Sequence, residues 1–117
     1  MNIVLGIFNG YFYTVANKEG NCSYPFTDLI GDMWVEFSDI VHTVYYASRR
    51  ADKIIFIIDG LLPNINGTED SFTCKELMTL LTCPFIPTSK IEFWDNQKIV
   101  TVDYIQNKLN LPKELFD

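Results

Sequence analysis

The sequence has little positive charge, a single histidine and no common nucleotide-binding motif. Lys and Arg total 9 against 15 Asp and Glu, which gives a net charge of -6 at pH 7. Nucleic acids and anionic membrane surfaces attract positive charge, so this balance disfavours binding to either. Neither GxGxxG nor GxxxxGK[ST] occurs, and phosphate binding through those loops is unsupported. Because His42 is the only histidine, the chain lacks the residues that most catalytic triads and zinc hydrolase sites require.

Cysteines and long apolar runs are also scarce. Cys22, Cys74 and Cys83 are an odd number that cannot all pair within the chain, and no CxxC occurs. The start, "MNIVLGIFNG", has no basic segment ahead of an apolar run, and no stretch approaches the roughly 20 apolar residues of a membrane span. We therefore expect a reduced, cytoplasmic protein with no membrane segment, metal or cofactor.

The composition is that of a folded domain. The 117 residues are 48% hydrophobic and 15% aromatic, which is sufficient for a core without metal or disulfide support. Charged residues are 21%, so the chain is not predicted to be disordered. The length fits one domain, and we expect residues 1–117 to form it.

Strand patterns occur in three parts of the chain. Asn9-Gly10 lies between two runs rich in β-branched and aromatic residues, and such a dipeptide predicts a hairpin with strands at 2–8 and 11–16. The continuous apolar run 53–58 predicts a strand buried on both faces. A second hairpin is predicted from strands 90–94 and 98–102.

Helical spacing of apolar residues predicts one long helix over 28–50. Two short helices are expected, over "CKELMTLLT" before Pro84 and over "DYIQNKLN". Together the elements predict an α+β fold. We expect a mixed or mostly antiparallel sheet with two hairpins, one long helix packed on it and two short helices.

Residues 28–39, "DLIGDMWVEFSD", form what we call the acidic segment. On a continuous helix, Asp28, Asp32, Glu36 and Asp39 would lie within about 80° of one another, opposite the apolar face. A solvated helix face explains acids in that position, and acids also suit the first turns of a helix. No lysine is interleaved, however, and like charges four residues apart repel by a few tenths of a kcal/mol. The alternative is a surface that binds a basic protein.

An enzyme is the competing possibility. Asp59 follows the predicted strand 53–58, and a carboxylate at the end of such a strand is a frequent catalytic group. If Glu92 or Asp95 converged with Asp59, the carboxylates could hold a metal ion. The chain has no DxD pair to support such a site, and Asp-Gly after a strand is also a common turn.

The small size, the acidity and the lack of catalytic motifs together resemble the immunity proteins of bacterial toxin systems, such as those of contact-dependent growth inhibition. The resemblance implies a cytoplasmic protein that binds one cognate toxin domain, often a basic nuclease, and blocks its active site. A phage-encoded inhibitor of a host defence nuclease has the same profile. We therefore predict a bacterial, protein-binding toxin inhibitor and not an enzyme; a homodimer formed through exposed apolar residues such as Val35 is a further alternative.

The predicted partner-binding residues combine acids with nearby aromatic residues, because Trp and Tyr are frequent hot-spot types at interfaces. They are Asp28, Asp32, Glu36 and Asp39 of the acidic segment, Tyr46, Glu69 and Asp70 in a loop, and Trp94 and Asp95 at a hairpin tip.

Overall fold

The computed structural model describes residues 1–36, 39–61 and 72–111, with Phe72 described by its backbone only. Five strands form one sheet: β1 (Asn2–Gly6), β2 (Asn21–Cys22), β3 (Ile54–Ile57), β4 (Ile91–Asp95) and β5 (Lys98–Val100). The order across the sheet is β2-β1-β3-β4-β5. The first four strands are parallel, and β5 pairs antiparallel with β4. The predicted α+β class is confirmed, and the sheet is mixed rather than mostly antiparallel.

The helices are α1 (Gly10–Ala16), α2 (Thr27–Ile30), α3 (Ile40–Arg50), α4 (Phe72–Thr82) and α5 (Val102–Leu109). Two 3₁₀ helices, Gly31–Glu36 and Thr88–Lys90, complete the described elements. The two predicted short helices correspond to α4 and α5.

The central strands form where the sequence is continuously apolar. All four residues of β3 are buried, as expected for a strand covered on both faces. Ile3 of β1 and Ile91 of β4 flank Ile54 of β3 in the parallel register. The predicted second hairpin is confirmed as β4–β5. Asn96 and Gln97 form its two-residue turn, both with positive φ angles of 51° and 65°, as a type I′ turn requires.

The predicted first hairpin is wrong, because residues 10–16 form α1. Asn9 is the N-cap residue of this helix, and its side chain accepts a hydrogen bond from the backbone N–H of Phe12 at 2.9 Å. The buried residues of α1 are Phe12, Val15 and Ala16. They are spaced as on one face of a helix, although the segment is also rich in the aromatic and β-branched residues that favour strands. The packing of α1 against the sheet overrides that strand propensity.

The predicted long helix 28–50 is also wrong as a single element. Gly31 ends α2 with φ 59° and ψ −136°, which is far from helical geometry. A 3₁₀ helix follows, and a new α-helix begins after the N-cap Asp39. A glycine adopts a positive φ at little cost, so this residue marks a break that apolar spacing does not reveal.

The sheet separates two groups of buried side chains. One face is covered by α1, which packs Phe12 and Val15 against Val4, Ile55 and Ile57. The opposite face is covered by α2 to α5 and holds the larger cluster, which includes Leu5, Phe56, Val44, Leu77 and Ile105. The chain therefore passes from β1 to α1 on one face of the sheet, whereas α4 lies on the other face. These two connections diverge at the carboxyl ends of the strands.

Candidate functional site

The four acids of the acidic segment are exposed, but they do not form one band. Asp28 lies in α2, Asp32 and Glu36 lie in the 3₁₀ helix, and Asp39 precedes α3. In a 3₁₀ helix, residues four apart are about 120° apart around the axis, against about 40° in an α-helix. The predicted single band is therefore wrong. The acids spread instead over a broader surface that turns with the chain.

Three of these acids have no cationic partner among the residues that the structure describes. Asp28, Asp32 and Glu36 are exposed, and none takes part in the salt bridges of the described chain. Other acids of this protein are paired: Glu92 with Lys53, Asp95 with Lys108, and Asp52 with the N-terminus. The acidic segment thus keeps negative charge that no described residue neutralises locally.

Asp39 has a structural role as well as a charge. Its Oδ1 accepts a hydrogen bond from the backbone N–H of His42 at 2.8 Å, and so caps α3. The His42 ring nitrogen Nδ1 lies 2.9 Å from both carboxylate oxygens. The hydrogen bond from the His42 backbone, with that from its ring, lowers the pKa of Asp39. A substitution of Asp39 therefore affects stability and surface charge together.

Apolar side chains lie between the acids of the segment. Val35 is 61% exposed, and Trp34 is half-buried, with its ring 6.4 Å from that of Tyr24 in an edge-on arrangement. An aromatic ring held by a neighbouring ring and flanked by unpaired charge has the composition of an interface hot spot.

The remaining predicted contact residues lie elsewhere. Tyr46 is on α3, about 10 Å along the helix from Asp39, and the guanidinium of Arg50 lies 4.2 Å from the centre of its ring. Its surroundings are thus basic. Glu69 and Asp70 lie outside the described residues.

Asp95 lies next to the turn of the β4–β5 hairpin, as predicted, but it is buried there and so does not offer the contact surface expected of it. Its side chain is 1% exposed, because Tyr104 and Lys108 of α5 cover it and donate hydrogen bonds to Oδ2. Trp94, on the opposite face of β4, is half-buried, and its ring N–H donates to Glu92 at 3.1 Å. The hairpin therefore presents part of Trp94 but not Asp95.

The structure does not bring Asp59 and Glu92 together. Glu92 is beside Ile55 in the sheet, whereas Asp59 lies two residues beyond the end of β3, about 13 Å from Ile55 along the strand direction. Glu92 pairs with Lys53 at 2.6 Å, and the hydrogen bond from Lys53 lowers its pKa. The Asp59 carboxylate instead accepts from the backbone N–H of Asn96 at 3.2 Å. The two-carboxylate site of the enzyme alternative is not formed.

No group of three or more His, Cys, Asp or Glu side chains in residues 1–36, 39–61 and 72–111 is arranged to hold a metal ion. No helix in those ranges is both long and apolar enough to cross a membrane.

Glu76 is a residue that the sequence prediction missed. It is 6% exposed in α4, and burial raises its pKa to about 8. A signal was present, because Leu80 lies one turn after Glu76 and Thr73 lies nearly one turn before it, which puts Glu76 on the inward side of the helix.

Comparisons of this chain with protein-family models, with curated proteins and with solved structures find no match.

Proposed function

We propose that this chain is a non-catalytic protein-binding inhibitor whose acidic segment binds a basic partner. The observation that carries the proposal is the set of exposed acids, Asp28, Asp32 and Glu36, which no described cation neutralises. Exposed Val35 and half-buried Trp34 lie among them. Apolar contact surrounded by one sign of charge favours a partner with the opposite sign.

The negative charge of this chain acts on its encounter with a basic partner and on the orientation of the two proteins. A net charge of -6 attracts a basic protein over distances up to about a Debye length, near 8 Å at physiological salt. Unpaired acids lose no internal ion pair when they meet Lys or Arg of the partner. The apolar residues then supply the desolvated centre that holds the complex.

We further propose that the partner is a cognate toxin domain, such as a basic nuclease, and that this chain is its immunity protein. Size, acidity and the resemblance described above support this assignment. Cys22, Cys74 and Cys83 form no disulfide, in keeping with the cytoplasmic location that we propose. A phage-type inhibitor of a host nuclease uses the same surface chemistry, and the partner's identity distinguishes the two.

The test is a pull-down from lysate of the native organism with three forms of the chain. The first is native, the second carries D28N, D32N and E36Q, and the third carries E19Q, D52N and D103N. Both variants lose the same charge, but the third leaves the acidic segment intact. We expect the native and third forms to retain the same basic protein, and the second to lose about tenfold or more in affinity.

Equal retention by all three forms would place the interface outside the acidic segment. Light scattering on the native form alone tests the homodimer alternative, since a mass of twice 13.5 kDa would assign Val35 and its neighbours to self-association. Co-expression of the retained protein with and without this chain then tests inhibition: relief of toxicity by the native form only supports the immunity assignment.

A further inference from the structure

A cavity of about 430 Å³ lies at the carboxyl end of β1. This volume is within the range of about 300–1,000 Å³ that small-molecule sites occupy. Its walls are largely apolar and include Ile7 and Phe8 after β1, Tyr24 before α2, and Ile40 at the start of α3. Phe8 is 60% exposed and lies where the cavity meets the surface.

The topology of the sheet explains why a cavity forms at this place. From β1 the chain passes to α1 on one face, whereas α4, between β3 and β4, covers the other face. Connections that diverge from neighbouring parallel strands leave a crevice at their carboxyl ends, and ligands bind preferentially in such crevices. Helices α3 and α4 close the sides of this one.

Gly6 keeps the floor of the cavity closely packed. Its φ is +145°, and an added Cβ would lie 2.7 Å from the carbonyl oxygen of Ile57. Only glycine fits there, since side chains rarely adopt this backbone conformation and the contact is with backbone. The end of β1 is thereby fixed against β3, and the cavity wall is rigid on that side.

Glu76 is the polar side chain that faces this apolar wall. It is 6% exposed, and no described residue donates a hydrogen bond to its carboxyl group. The nearby hydroxyl of Thr73 is directed toward the carbonyl oxygen of Gly6, at 3.5 Å. A buried carboxyl group without a partner is destabilising, and protein interiors rarely retain one. A ligand in the cavity would supply such a partner.

The charge state of Glu76 decides which ligand fits. Burial raises its pKa to about 8, so near neutral pH the group is protonated and its O–H can donate. Ionisable groups near the cavity include Tyr24 on its wall, exposed Lys75 on α4, and Asp39 and His42, which pair with each other at the start of α3. None of them supplies a charge that offsets the effect of burial on Glu76.

We propose that this cavity binds a small, largely apolar molecule that carries a carbonyl oxygen, and that Glu76 donates a hydrogen bond to that oxygen. The cavity supplies apolar contact and shape, and the hydrogen bond from Glu76 fixes the orientation of the ligand. This site is on the carboxyl edge of the sheet and is separate from the protein-binding role proposed for the acidic segment.

Three probes with one skeleton test the chemistry: 1-indanone carries the carbonyl, indane lacks it, and 1-aminoindane carries a cation. Each is titrated into the full chain and followed by backbone amide chemical shifts. We expect saturable shifts at Gly6, Phe8 and Glu76, with 1-indanone bound about fivefold more tightly than indane near pH 6. That preference should disappear near pH 9.5, where Glu76 is ionised and no longer donates.

Variants of Glu76 separate the donor from the cavity. Glu76→Gln keeps an N–H donor without titration, so the preference for 1-indanone should persist at both pH values. Glu76→Leu has no donor, so the two neutral probes should bind equally. If Glu76→Leu does not fold, Glu76→Gln and the native chain still give the comparison.

Three results would overturn the proposal. The first is the absence of saturable shifts at the cavity residues with any probe. The second is tighter binding of 1-aminoindane than of 1-indanone, with affinity that increases with pH, which would define a cation site. The third is a preference for 1-indanone that Glu76→Leu leaves unchanged.

Discussion

The hydroxyl group of Tyr104 donates a 2.6 Å hydrogen bond to Asp95 and so joins α5 to the end of β4. Lys108, one turn further along α5, donates to the same oxygen. The Asp95 side chain is 1% exposed, whereas that of Lys108 is 36% exposed. The second oxygen of Asp95 is buried without a hydrogen-bond partner among the described residues. The carboxylate thus depends on α5, while Lys108 retains access to water.

This asymmetry predicts which partner is more costly to lose. Lys108→Met leaves a buried carboxylate with one donor, and we expect the free energy of unfolding to fall by about 2–3 kcal/mol. Asp95→Asn keeps an acceptor for Tyr104 and lets Lys108 rehydrate, so its expected cost is about 1 kcal/mol. Urea unfolding near pH 7 measures both. A smaller loss for Lys108→Met than for Asp95→Asn would contradict the asymmetry.

The same pair predicts a response to acid. Burial raises the pKa of Asp95, but the hydrogen bonds from Lys108 and Tyr104 outweigh this effect, so the pKa lies below its ordinary value. The resulting stabilisation is present above the unfolded pKa of about 3.9, and it is lost as the pH falls through the lower folded pKa. In Lys108→Met the folded pKa of Asp95 should rise toward the unfolded value, so the loss of stability on acidification should be smaller, which urea midpoints between about pH 7 and pH 3 would reveal.

The N-terminal part of the chain gives a prediction that distinguishes a helix from a hairpin. At Gly10 an added Cβ meets nothing within 4 Å, and Gly10 is not among the residues with positive φ. Gly10→Ala should therefore raise the free energy of unfolding by a few tenths to about 1 kcal/mol. Asn9→Ala removes the N-cap acceptor and should lower it by about 1 kcal/mol. In a type I′ hairpin turn, Gly10→Ala would be destabilising instead, so thermal unfolding of both variants decides the point.

The fold was predictable from sequence where a pattern has one interpretation. The run 53–58 is apolar throughout, and the turn of the second hairpin carries polar residues between two short runs, so β3, β4 and β5 follow from the sequence. The segment 10–16 satisfies both strand propensity and helical spacing, and only its packing on Val4 and Ile57 selects the helix. The break at Gly31 depends on one backbone conformation, which periodicity does not contain.

Because Asp39 caps α3, we expect the acids of the acidic segment to differ in their effect on stability. Asp39→Ala should cost about 1 kcal/mol of stability, because the backbone N–H of His42 loses its acceptor. Asp39→Asn keeps an acceptor and should cost much less, although it removes the same charge. Asp32→Asn should leave stability unchanged, since Asp32 is exposed and takes part in no described salt bridge. Equal losses for Asp32→Asn and Asp39→Ala in urea unfolding would show that these acids do not differ in structural role.

Some features of the candidate sites were predictable from the sequence and others were not. The exposure of Asp28, Asp32 and Glu36 follows from their position opposite apolar residues. They remain exposed although the helix is broken at Gly31. The burial of Asp95 does not follow, because its cover comes from Tyr104 and Lys108 on a later helix. The cavity beside Glu76 also requires the three-dimensional arrangement, since its walls come from parts of the chain that are distant in sequence.

Glu76 predicts an unusual dependence of stability on pH. Its folded pKa of about 8 lies above the unfolded value of about 4.3, so the folded state holds this proton more tightly than the unfolded chain does. The native form should therefore lose stability as the pH rises from about 4.5 to about 8, by an amount on the order of a few kcal/mol, and then level off. Glu76→Gln cannot titrate, so it should show a flatter profile and exceed the native form in stability near pH 9. Urea unfolding across this range, with exposed Glu19→Gln as the control, measures the difference; parallel profiles for the native form and Glu76→Gln would mean that Glu76 is already ionised at neutral pH.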